Sequence, residues 1–315
     1  MNSSPSVLIV RLDAIGDALA LVPLLAALRE RGAQIDVVLS PKNAGAFSKS
    51  AVDRIFVEQP GLGDRLAQNA YDYALVATED ASGYRLARAS GAPGRVGFQN
   101  GWGKPLKSLW ARSLLTRTVY RTAGLDPRAP HESQVLFQLG SGIVGTSQIP
   151  RDPRILRGFV VDAEPQPDER VIMQVTDKWQ RLGAAPKDVA DLARALQQRH
   201  AMRFVAAESE RGYAQELASA ARISIDYFRE LGPWKEAVAA AKAVVAPDSG
   251  AIHVAGMTGT PTVAVFAQEG FALQTGRWSP WAAPYRLVKI ESDWPVSAKN
   301  ALEDLLRDIR AIHRE

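Results

Sequence analysis

The sequence predicts an α/β fold made of two Rossmann-like domains with a cleft between them, and three observations support it. The chain has 315 residues, about twice the length of one typical domain. Short apolar runs rich in Val, Ile and Leu alternate with longer segments of helical spacing, which is typical of a parallel sheet covered by helices. Residues Asp162–Arg170 (DAEPQPDER) have the composition of a linker, and a second alternation follows them. We therefore expect domains over residues 1–163 and 164–295.

In the first domain, strands are predicted where short runs are dominated by apolar residues. These runs are Val7–Val10, Ile35–Leu39, Arg54–Val57, Tyr73–Val76 and Arg95–Phe98. A helix is predicted over Asp17–Arg31, and the stretch Lys104–Leu139 is interpreted as helical or irregular.

The second domain repeats this alternation. Its predicted strands are Val171–Val175, Arg203–Ala207, Ala243–Ala246, Thr262–Phe266 and Arg286–Ile290. Its predicted helices are Lys187–Gln198, Gly212–Ala221 and Trp234–Ala241. The last segment, Val296–His313, has the apolar spacing of an amphipathic helix, and we expect residues 296–315 to pack back on the N-terminal domain.

The composition is that of a globular protein, with 46% hydrophobic and 23% charged residues. The chain has no cysteine, which excludes disulfide scaffolds, thiolate metal sites, iron–sulfur clusters and a cysteine nucleophile. Four histidines leave little for a metal cage, so no metal is expected. The uncharged run Ala18–Leu28 is too short to cross a bilayer, and Met1–Ser6 lacks the positive charge that begins a secretory signal. We expect a cytoplasmic protein.

Positive charge is concentrated in Ala81–Leu125, although the net charge of the whole chain is only +4. This stretch contains no acidic residue. Its basic residues are Arg85, Arg88, Arg95, Lys104, Lys107, Arg112, Arg117 and Arg121, and the aromatic residues between them are Tyr84, Phe98, Trp102, Trp110 and Tyr120. Such a stretch attracts phosphates or an anionic surface. The alternative interpretation is a solvated basic face on a surface helix.

The first motif, Val7–Asp17 (VLIVRLDAIGD), runs from a strand through a tight loop into a helix. Gly16 permits close approach of the backbone, and Asp17 falls at the helix N-terminus, where a carboxylate is electrostatically favoured. Because Asp is a common N-cap residue, a purely structural role is the alternative. The loop lacks the G-x-G-x-x-G pattern of dinucleotide-binding proteins and carries a second acid, Asp13.

The second motif, Val244–Gly256 (VVAPDSGAIHVAG), places a strand, a short turn and a helix in succession. The backbone N–H groups of Ser249 and Gly250 and the Ser249 hydroxyl are expected at the positive end of the helix dipole, which suits a diphosphate. His253 lies one helical turn further on the same side and would add a donor. A packed or surface histidine is the alternative.

Together these motifs make the sequence similar to glycosyltransferase family 9, the heptosyltransferases of lipopolysaccharide core assembly. Arg11–Asp17 (RLDAIGD) resembles the family's N-terminal signature, and Pro247–Phe266 (PDSGAIHVAGMTGTPTVAVF) resembles its C-terminal donor-site signature. Weaker matches lie at Tyr71–Val76, Arg95–Phe98 and Lys178–Trp179. The resemblance implies the GT-B architecture, with the acceptor bound mainly by the N-terminal lobe and the nucleotide sugar mainly by the C-terminal lobe.

The resemblance also implies roles for individual residues in an inverting, metal-independent transfer. Asp17 would take the proton of the acceptor hydroxyl, and Lys178 would offset charge on the leaving diphosphate. The donor site would comprise Lys178, Glu210, Asp248, Ser249, Gly250 and His253, with Asp248 on the sugar. The residue on the ribose would be Glu210 or Glu208, and the spacing of Glu210 matches slightly better. The acceptor side would comprise Asp13, Arg95, Lys104 and Lys107.

The implied activity is transfer of heptose from ADP-heptose to an anionic glycolipid of the lipopolysaccharide core, with peripheral contact at the inner membrane face and no nucleic-acid partner. The nucleotide sugar is a co-substrate, and no separate cofactor is expected. Where the family usually has Gly-Pro-Thr, this chain has Ala267–Glu269 (AQE), which leaves other sugars, or a protein or capsule acceptor, open. A non-catalytic sugar-nucleotide or glycolipid binding protein is a further alternative. An NAD-dependent enzyme is disfavoured by the missing glycine motif.

Overall fold

The structure, a computed structural model, describes residues 4–121 and 129–312. The chain divides into two compact units, the first made of Met1–Arg151 and Gly158–Asp162, the second of Asp152–Arg157 and Ala163–Glu315. Each unit contains a parallel sheet covered by helices, so the predicted α/β fold with two Rossmann-like units is confirmed. Among the described residues, no helix is both long and apolar enough to cross a bilayer.

The described part of the first unit contains a six-stranded parallel sheet in the order β3-β2-β1-β4-β5-β6. The strands are β1 (Ser6–Arg11), β2 (Gln34–Leu39), β3 (Arg54–Val57), β4 (Tyr73–Val76), β5 (Gly94–Gln99) and β6 (Arg117–Tyr120). Residues Val7–Val10 of the central strand β1 are fully buried. This explains why β1 has an unbroken apolar sequence rather than an alternating one, since helices cover both faces of a parallel sheet.

The helices of the first unit follow the strands in alternation. They are α1 (Ile15–Leu19), α2 (Val22–Glu30), α3 (Leu62–Ala67), α4 (Ala81–Ala89), α5 (Pro105–Leu114) and α6 (Glu132–Val144). The predicted single helix Asp17–Arg31 is therefore two helices. Pro23 lies in the first turn of α2 and has no N–H to continue the hydrogen bonding of α1, which explains the break.

Helix α6 packs closely on α2. A Cβ atom at Gly140 of α6 would overlap Cδ1 of Leu24 of α2, so a larger residue there would require the Leu24 side chain to move. The packing fixes the first turn of α6 within the unit, where Glu132 is completely buried.

The second unit repeats the arrangement. Within the described residues its sheet has the order β12-β11-β10-β7-β8-β9. The strands are β7 (Asp168–Gln174), β8 (Met202–Ala207), β9 (Ile225–Phe228), β10 (Ala241–Pro247), β11 (Thr262–Phe266) and β12 (Tyr285–Lys289). The helices are α7 (Pro153–Leu156), α8 (Lys178–Arg181), α9 (Pro186–Gln197), α10 (Arg211–Ala221), α11 (Leu231–Ala240), α12 (Gly250–Thr258), α13 (Phe271–Trp278) and α14 (Trp294–Ile312).

The C-terminal helix α14 differs from the expectation that it packs back on the N-terminal domain. It contacts α9, β11 and β12, all in the second unit. Its buried side chains Trp294, Ala298, Leu302, Leu305 and Leu306 belong to the hydrophobic core of that unit, and the Trp294 ring stacks on Trp179 at 5.5 Å. Its amphipathic spacing is therefore satisfied locally. The predicted last residue of the helix, His313, lies outside the described residues.

Several elements were not predicted from the sequence. The strands β6 and β9 lie at the two sheet edges, and their residues are half-buried or exposed, so they carry a weak apolar signal. Strand β7 begins at Asp168, inside the predicted linker, because Arg170 and Arg203 both pair with the Asp168 carboxylate.

Candidate active site

The loop after β1 lies at the point where the strand order of the first sheet reverses. Strand β1 lies between β2 and β4. The connection that follows β1 runs towards β2, and the connection that follows β4 runs the other way towards β5, so a crevice opens at the carboxyl ends of β1 and β4. The buried Asn43 side chain donates to the carbonyl oxygens of Arg11 (3.1 Å) and Asp13 (2.8 Å) and so holds the loop in place.

Arg11, the last residue of β1, is 2% exposed and crosses this crevice. Its Nη1 donates to the carbonyl oxygen of Ala77, which follows β4. Its other nitrogens meet carboxylates: Nη2 lies 3.1 Å from Asp17 Oδ1 and 3.4 Å from Glu132 Oε1, and Nε lies 3.4 Å from Asp13 Oδ2. One buried guanidinium is therefore surrounded by three carboxylates.

Asp17 is the third residue of α1 and not its N-cap, which is Ala14. Its Oδ2 accepts a hydrogen bond from the Ala14 N–H at 3.2 Å. Burial raises the pKa of Asp17, the Arg11 charge opposes this rise, and the charges of Asp13 and Glu132 add to it. The net effect is a carboxylate more basic than an ordinary aspartate, which suits a proton acceptor.

Glu132 extends the network towards the predicted acceptor residues. Both of its carboxylate oxygens lie 2.9 Å from Arg121 Nη2, and Arg121 Nε lies 3.6 Å from Glu79 Oε1. Glu79 Oε2 in turn accepts from Lys107 at 2.8 Å and from Lys104 at 3.1 Å. Burial raises the pKa of Glu79, but the hydrogen bonds from Lys107 and Lys104 outweigh it and lower this pKa to about 2. Glu79 is therefore ionised and offsets positive charge of the basic stretch.

The structure thus changes the interpretation of the four predicted acceptor residues. Lys104 and Lys107 both pair with Glu79, which lies just before the stretch Ala81–Leu125. Arg95 donates to the backbone carbonyls of Leu114 and Ala92, so its guanidinium supports the fold. Asp13 lies beside Arg11. Residues 122–125 of the stretch lie outside the described residues.

In the second unit, the residues predicted to bind an anion lie in the turn between β10 and α12. Ser249 is the N-cap of α12, but its side chain makes no capping hydrogen bond. Its Oγ is buried and has no hydrogen-bond partner among the described residues. A buried, unused hydroxyl at a helix N-terminus fits an anionic ligand, which the helix dipole and the free N–H groups also favour. His253 is 7% exposed, and its ring meets the edge of Trp278 at 5.7 Å, so it is a packed histidine on the first turn of α12.

Lys178 joins this site across the reversal point of the second sheet. Strand β7 lies between β10 and β8, and Lys178 begins the helix that follows β7. Its Nζ donates to the carbonyl oxygen of Asp248 at 3.0 Å, directly before Ser249. The sheet order therefore brings together a lysine and an anion site that are 70 residues apart in the sequence.

The helix that carries Lys178 is anchored by two tryptophans. Trp179, which is fully buried, donates its Nε1–H to the carbonyl oxygen of Gln174 at 2.9 Å. Trp234 donates to the Gln174 side-chain oxygen at 2.8 Å. Lys178 is therefore held on a rigid support, as a binding residue requires.

Of the two glutamates after β8, Glu210 lies towards Lys178 and Glu208 is already paired. Glu210 Oε1 accepts from Thr176 Oγ1 at 2.8 Å, and burial raises the pKa of Glu210. Glu208 forms a two-point ion pair with Arg211. The Glu210 carboxylate therefore contacts Thr176, which follows β7, whereas the Glu208 carboxylate is occupied by Arg211.

The loop after β11 departs from the family pattern and is open. Gln268 and Glu269 are exposed, so their side chains lie at the surface of the second unit. Groups of three or more His, Asp or Glu side chains able to hold a metal ion do not occur in the part of the chain that the structure describes.

The sequence predicted functional roles for Asp17 and the Ser249 turn. It predicted none for four other residues: Arg11, Glu79, Glu132 and Thr176. Of these four residues, only Arg11 could have been identified from the sequence, because it is a charged residue at the end of an otherwise apolar strand and lies two residues before Asp13. The partners Glu132 and Glu79 are far away in the sequence and could not be assigned by spacing.

Comparison with known proteins gives one family match and several similar folds. Residues 187–302 match the sequence model of glycosyltransferase family 9 (heptosyltransferase). The fold is similar to a family 9 glycosyl transferase from Veillonella parvula DSM 2008, with 14% identity, a TM-score of 0.74 and coverage of 96% of this chain and 97% of that one. Comparison with curated proteins finds no sequence match.

Two Escherichia coli structures are also similar. One is ADP-heptose lps heptosyltransferase II, with 18% identity, a TM-score of 0.72 and coverage of 97% of this chain and 99% of that one. The other is heptosyltransferase WaaC with ADP, with 16% identity, a TM-score of 0.74 and coverage of 96% and 99%. At these identities the likeness shows a shared fold, and it confirms the expected GT-B architecture.

Proposed function

We propose that this chain is a glycosyltransferase of family 9 that moves a heptose from ADP-heptose to an anionic lipopolysaccharide precursor at the inner membrane face. The observation that carries the proposal is the anion site of the second unit, where the buried, unused Ser249 hydroxyl lies beside Lys178 at the N-terminus of α12. The E. coli heptosyltransferase WaaC structures contain ADP and ADP-2-deoxy-2-fluoro heptose, which supports a nucleoside diphosphate sugar as the donor.

The donor diphosphate would bind to the N–H groups of Ser249 and Gly250 and to the Ser249 hydroxyl. As the bond between the anomeric carbon and the diphosphate breaks, negative charge grows on the leaving ADP. The α12 dipole and the Lys178 ammonium are placed to stabilise that charge. Glu210 would accept hydrogen bonds from the ribose hydroxyls, and Asp248 would contact the sugar.

Asp17 would activate the acceptor. Its carboxylate takes the proton of the acceptor hydroxyl while that oxygen forms the new bond to the anomeric carbon, and the diphosphate leaves from the opposite face. A single displacement of this kind inverts the anomeric configuration. Arg11 holds Asp17 in place through the 3.1 Å contact without removing its basicity, because Asp13 and Glu132 share the same guanidinium.

An anionic acceptor fits the basic character of the first unit. Its phosphate groups would compete with Glu79 for Lys104 and Lys107, whose ion pairs with that carboxylate are only partly buried. An acceptor without charge would have to leave these pairs intact.

The test is a transfer assay on the purified protein with ADP-heptose, other ADP-sugars and UDP-sugars, using heptose-free lipopolysaccharide precursor as acceptor. We expect ADP release that depends on the acceptor, and mass spectrometry should show one added heptose. Turnover with a different nucleotide sugar would contradict the donor assignment. Binding of nucleotide sugar with no turnover on any acceptor would favour a non-catalytic binding protein.

In a strain that lacks the protein, lipopolysaccharide should lose one heptose and all sugars beyond it. An unchanged lipopolysaccharide mass would contradict the proposed acceptor class.

A further inference from the structure

Four large apolar side chains of the first unit are exposed close together along the chain. Trp102 is 95%, Leu106 83%, Leu109 70% and Tyr120 60% exposed. We call these four residues the α5 patch. Exposed apolar surface of this kind marks an interaction site more often when the residues are contiguous than when they are scattered.

The residues of the α5 patch lie on adjoining segments, because the turn of residues 101–103 contacts α5. Leu106 and Leu109 are three residues apart on α5 and so lie on the same side of the helix. The other side, with Ser108 and Ala111, is buried against the unit. A Cβ atom at Gly101 would lie 3.2 Å from the Tyr120 ring, so this ring packs against the backbone that carries Trp102.

The surroundings of the patch are positively charged. Lys104 and Arg112 are exposed on the same segment, and no acidic residue occurs between residues 81 and 121. The neighbouring helix α4, which contacts α5, adds the exposed side chains of Arg85 and Arg88. Glu79 offsets part of this charge through Lys104 and Lys107, but Arg85, Arg88 and Arg112 remain at the surface.

We propose that the α5 patch inserts into the surface of a bilayer that contains anionic phospholipids. The interfacial layer of a membrane suits Trp and Tyr, whose rings are apolar with one polar group, and the leucines would reach the acyl-chain boundary. The basic residues around them would meet the phosphate headgroups. Four side chains are too small an area for a stable protein interface, and the charge complementarity favours an acidic surface.

This inference deepens the proposed function, since it names the residues by which the chain would reach a membrane-bound acceptor. It does not depend on sugar transfer. Its test therefore uses vesicles that contain neither donor nor acceptor, so that failure of membrane binding and failure of the transfer reaction are observed separately.

The experiment is vesicle flotation of the full chain with phosphatidylcholine alone or mixed with phosphatidylglycerol. We expect binding to the anionic vesicles, weakened by salt, and little binding to the neutral ones. The variant Leu106→Ser/Leu109→Ser should reduce the partition coefficient by about tenfold or more, because both side chains proposed to reach the acyl-chain boundary lose their apolar groups. Lipids brominated on their acyl chains should quench part of the tryptophan fluorescence, and Trp102→Phe should remove that part.

A matched control is Val296→Ser, which changes an apolar residue that is 59% exposed on α14 of the second unit. It should bind vesicles like the wild type. Circular dichroism and thermal unfolding confirm that each variant is folded. The proposal is overturned if the wild type does not float with anionic vesicles, or if the double leucine variant binds them as strongly as the wild type.

Discussion

Arg11 is the residue on which the arrangement of the first unit's site depends. A buried guanidinium is stable only when its charge is paired and its N–H groups are used. Arg11 donates to one backbone carbonyl and pairs with the carboxylates of Asp13, Asp17 and Glu132, although its Nε makes no hydrogen bond within the described residues. Burial raises the pKa of Asp17, and the charges of Asp13 and Glu132 add to this rise against the opposing charge of Arg11.

The first prediction concerns Asp17→Asn. This change keeps the shape but removes the proton acceptor, so kcat should fall by roughly two to four orders of magnitude while ADP binding is little changed. A steady-state assay and an ADP titration measure the two effects. Near-normal turnover would exclude Asp17 as the base.

The same variant tests the raised pKa through stability. The folded state holds the Asp17 proton more tightly than the unfolded chain does. Ionisation of Asp17 therefore lowers the free energy of unfolding as the pH rises from the ordinary pKa of an aspartate through the raised pKa of the folded state. Asp17→Asn removes this cost. At pH 8 its thermal midpoint should equal or exceed that of the wild type, and a large decrease would contradict the assignment.

The second prediction concerns Glu132 as a positioning residue. In Glu132→Gln, a negative charge near Asp17 disappears and the positive charge of Arg11 is less offset, and both changes lower the pKa of Asp17. The acidic limb of the kcat/KM profile should therefore move to lower pH. A variant that loses stability without any shift of this limb would show that Glu132 has only a structural role.

At the scale of elements, the N-terminus of α12 combines three sources of attraction for an anion: the helix dipole, free N–H groups and the unused Ser249 hydroxyl. The short helix α8 adds Lys178 because Trp179 and Trp234 hold it through Gln174. The site therefore depends on how two elements meet and not on one motif.

The third prediction is that ADP raises the thermal midpoint of the wild type in the presence of EDTA, since a ligand that binds only the folded state stabilises it. Gly250→Val places a side chain where the diphosphate must approach the backbone and should abolish the shift. His253→Ala should reduce it only if the imidazole, packed against Trp278, also donates to the diphosphate as the family resemblance implies. Gly232→Val is a matched control, because a Cβ atom there meets nothing within 4 Å. Full protection in Gly250→Val would mean that ADP binds elsewhere.

The fourth prediction tests the packing of α14. Leu302 is fully buried in the core of the second unit, so Leu302→Ala should lower the free energy of unfolding by about 2 to 5 kcal/mol. Val296→Ala, at an exposed position of the same helix, should have a small effect. Denaturant unfolding followed by tryptophan fluorescence measures both variants, and equal effects would argue against this packing.

At the scale of the whole molecule, each unit carries one half of the proposed chemistry. The first unit holds the proposed base, and the second holds the proposed donor site, each at the reversal point of its own sheet. In both units a cation at the end of the first strand or shortly after it donates to a backbone carbonyl after the fourth strand: Arg11 to Ala77, and Lys178 to Asp248. The two units therefore share a contact that joins the carboxyl ends of their first and fourth strands.

The fifth prediction follows from this division. Because the donor site is built from the second unit, ADP should slow hydrogen exchange at residues 174–178 and 248–253, where the ends of β7 and β10 lie. Exchange mass spectrometry with and without ADP measures this. Protection confined to the loop of residues 12–17 would place the nucleotide in the first unit and contradict the donor assignment.

The sequence by itself determined the fold class, most buried strands and the positions of the two motifs. Apolar runs such as those in β1, β10 and β11 are local properties, and a strand buried on both faces requires them wherever it lies in the sheet. The Ser249 turn was also local, since a strand, a turn and a helix in succession create a helix N-terminus by themselves.

Only the tertiary structure decided which charges meet. Glu132 lies 121 residues from Arg11 in the sequence and contacts it because α6 packs on α2. Glu79 pairs with Lys104 and Lys107 because β4 lies next to β5. The place of α14 on the second unit was likewise settled by packing, since an amphipathic spacing requires a partner but does not specify it. Strand order and helix docking bring distant residues together, and neither can be read from spacing along the chain.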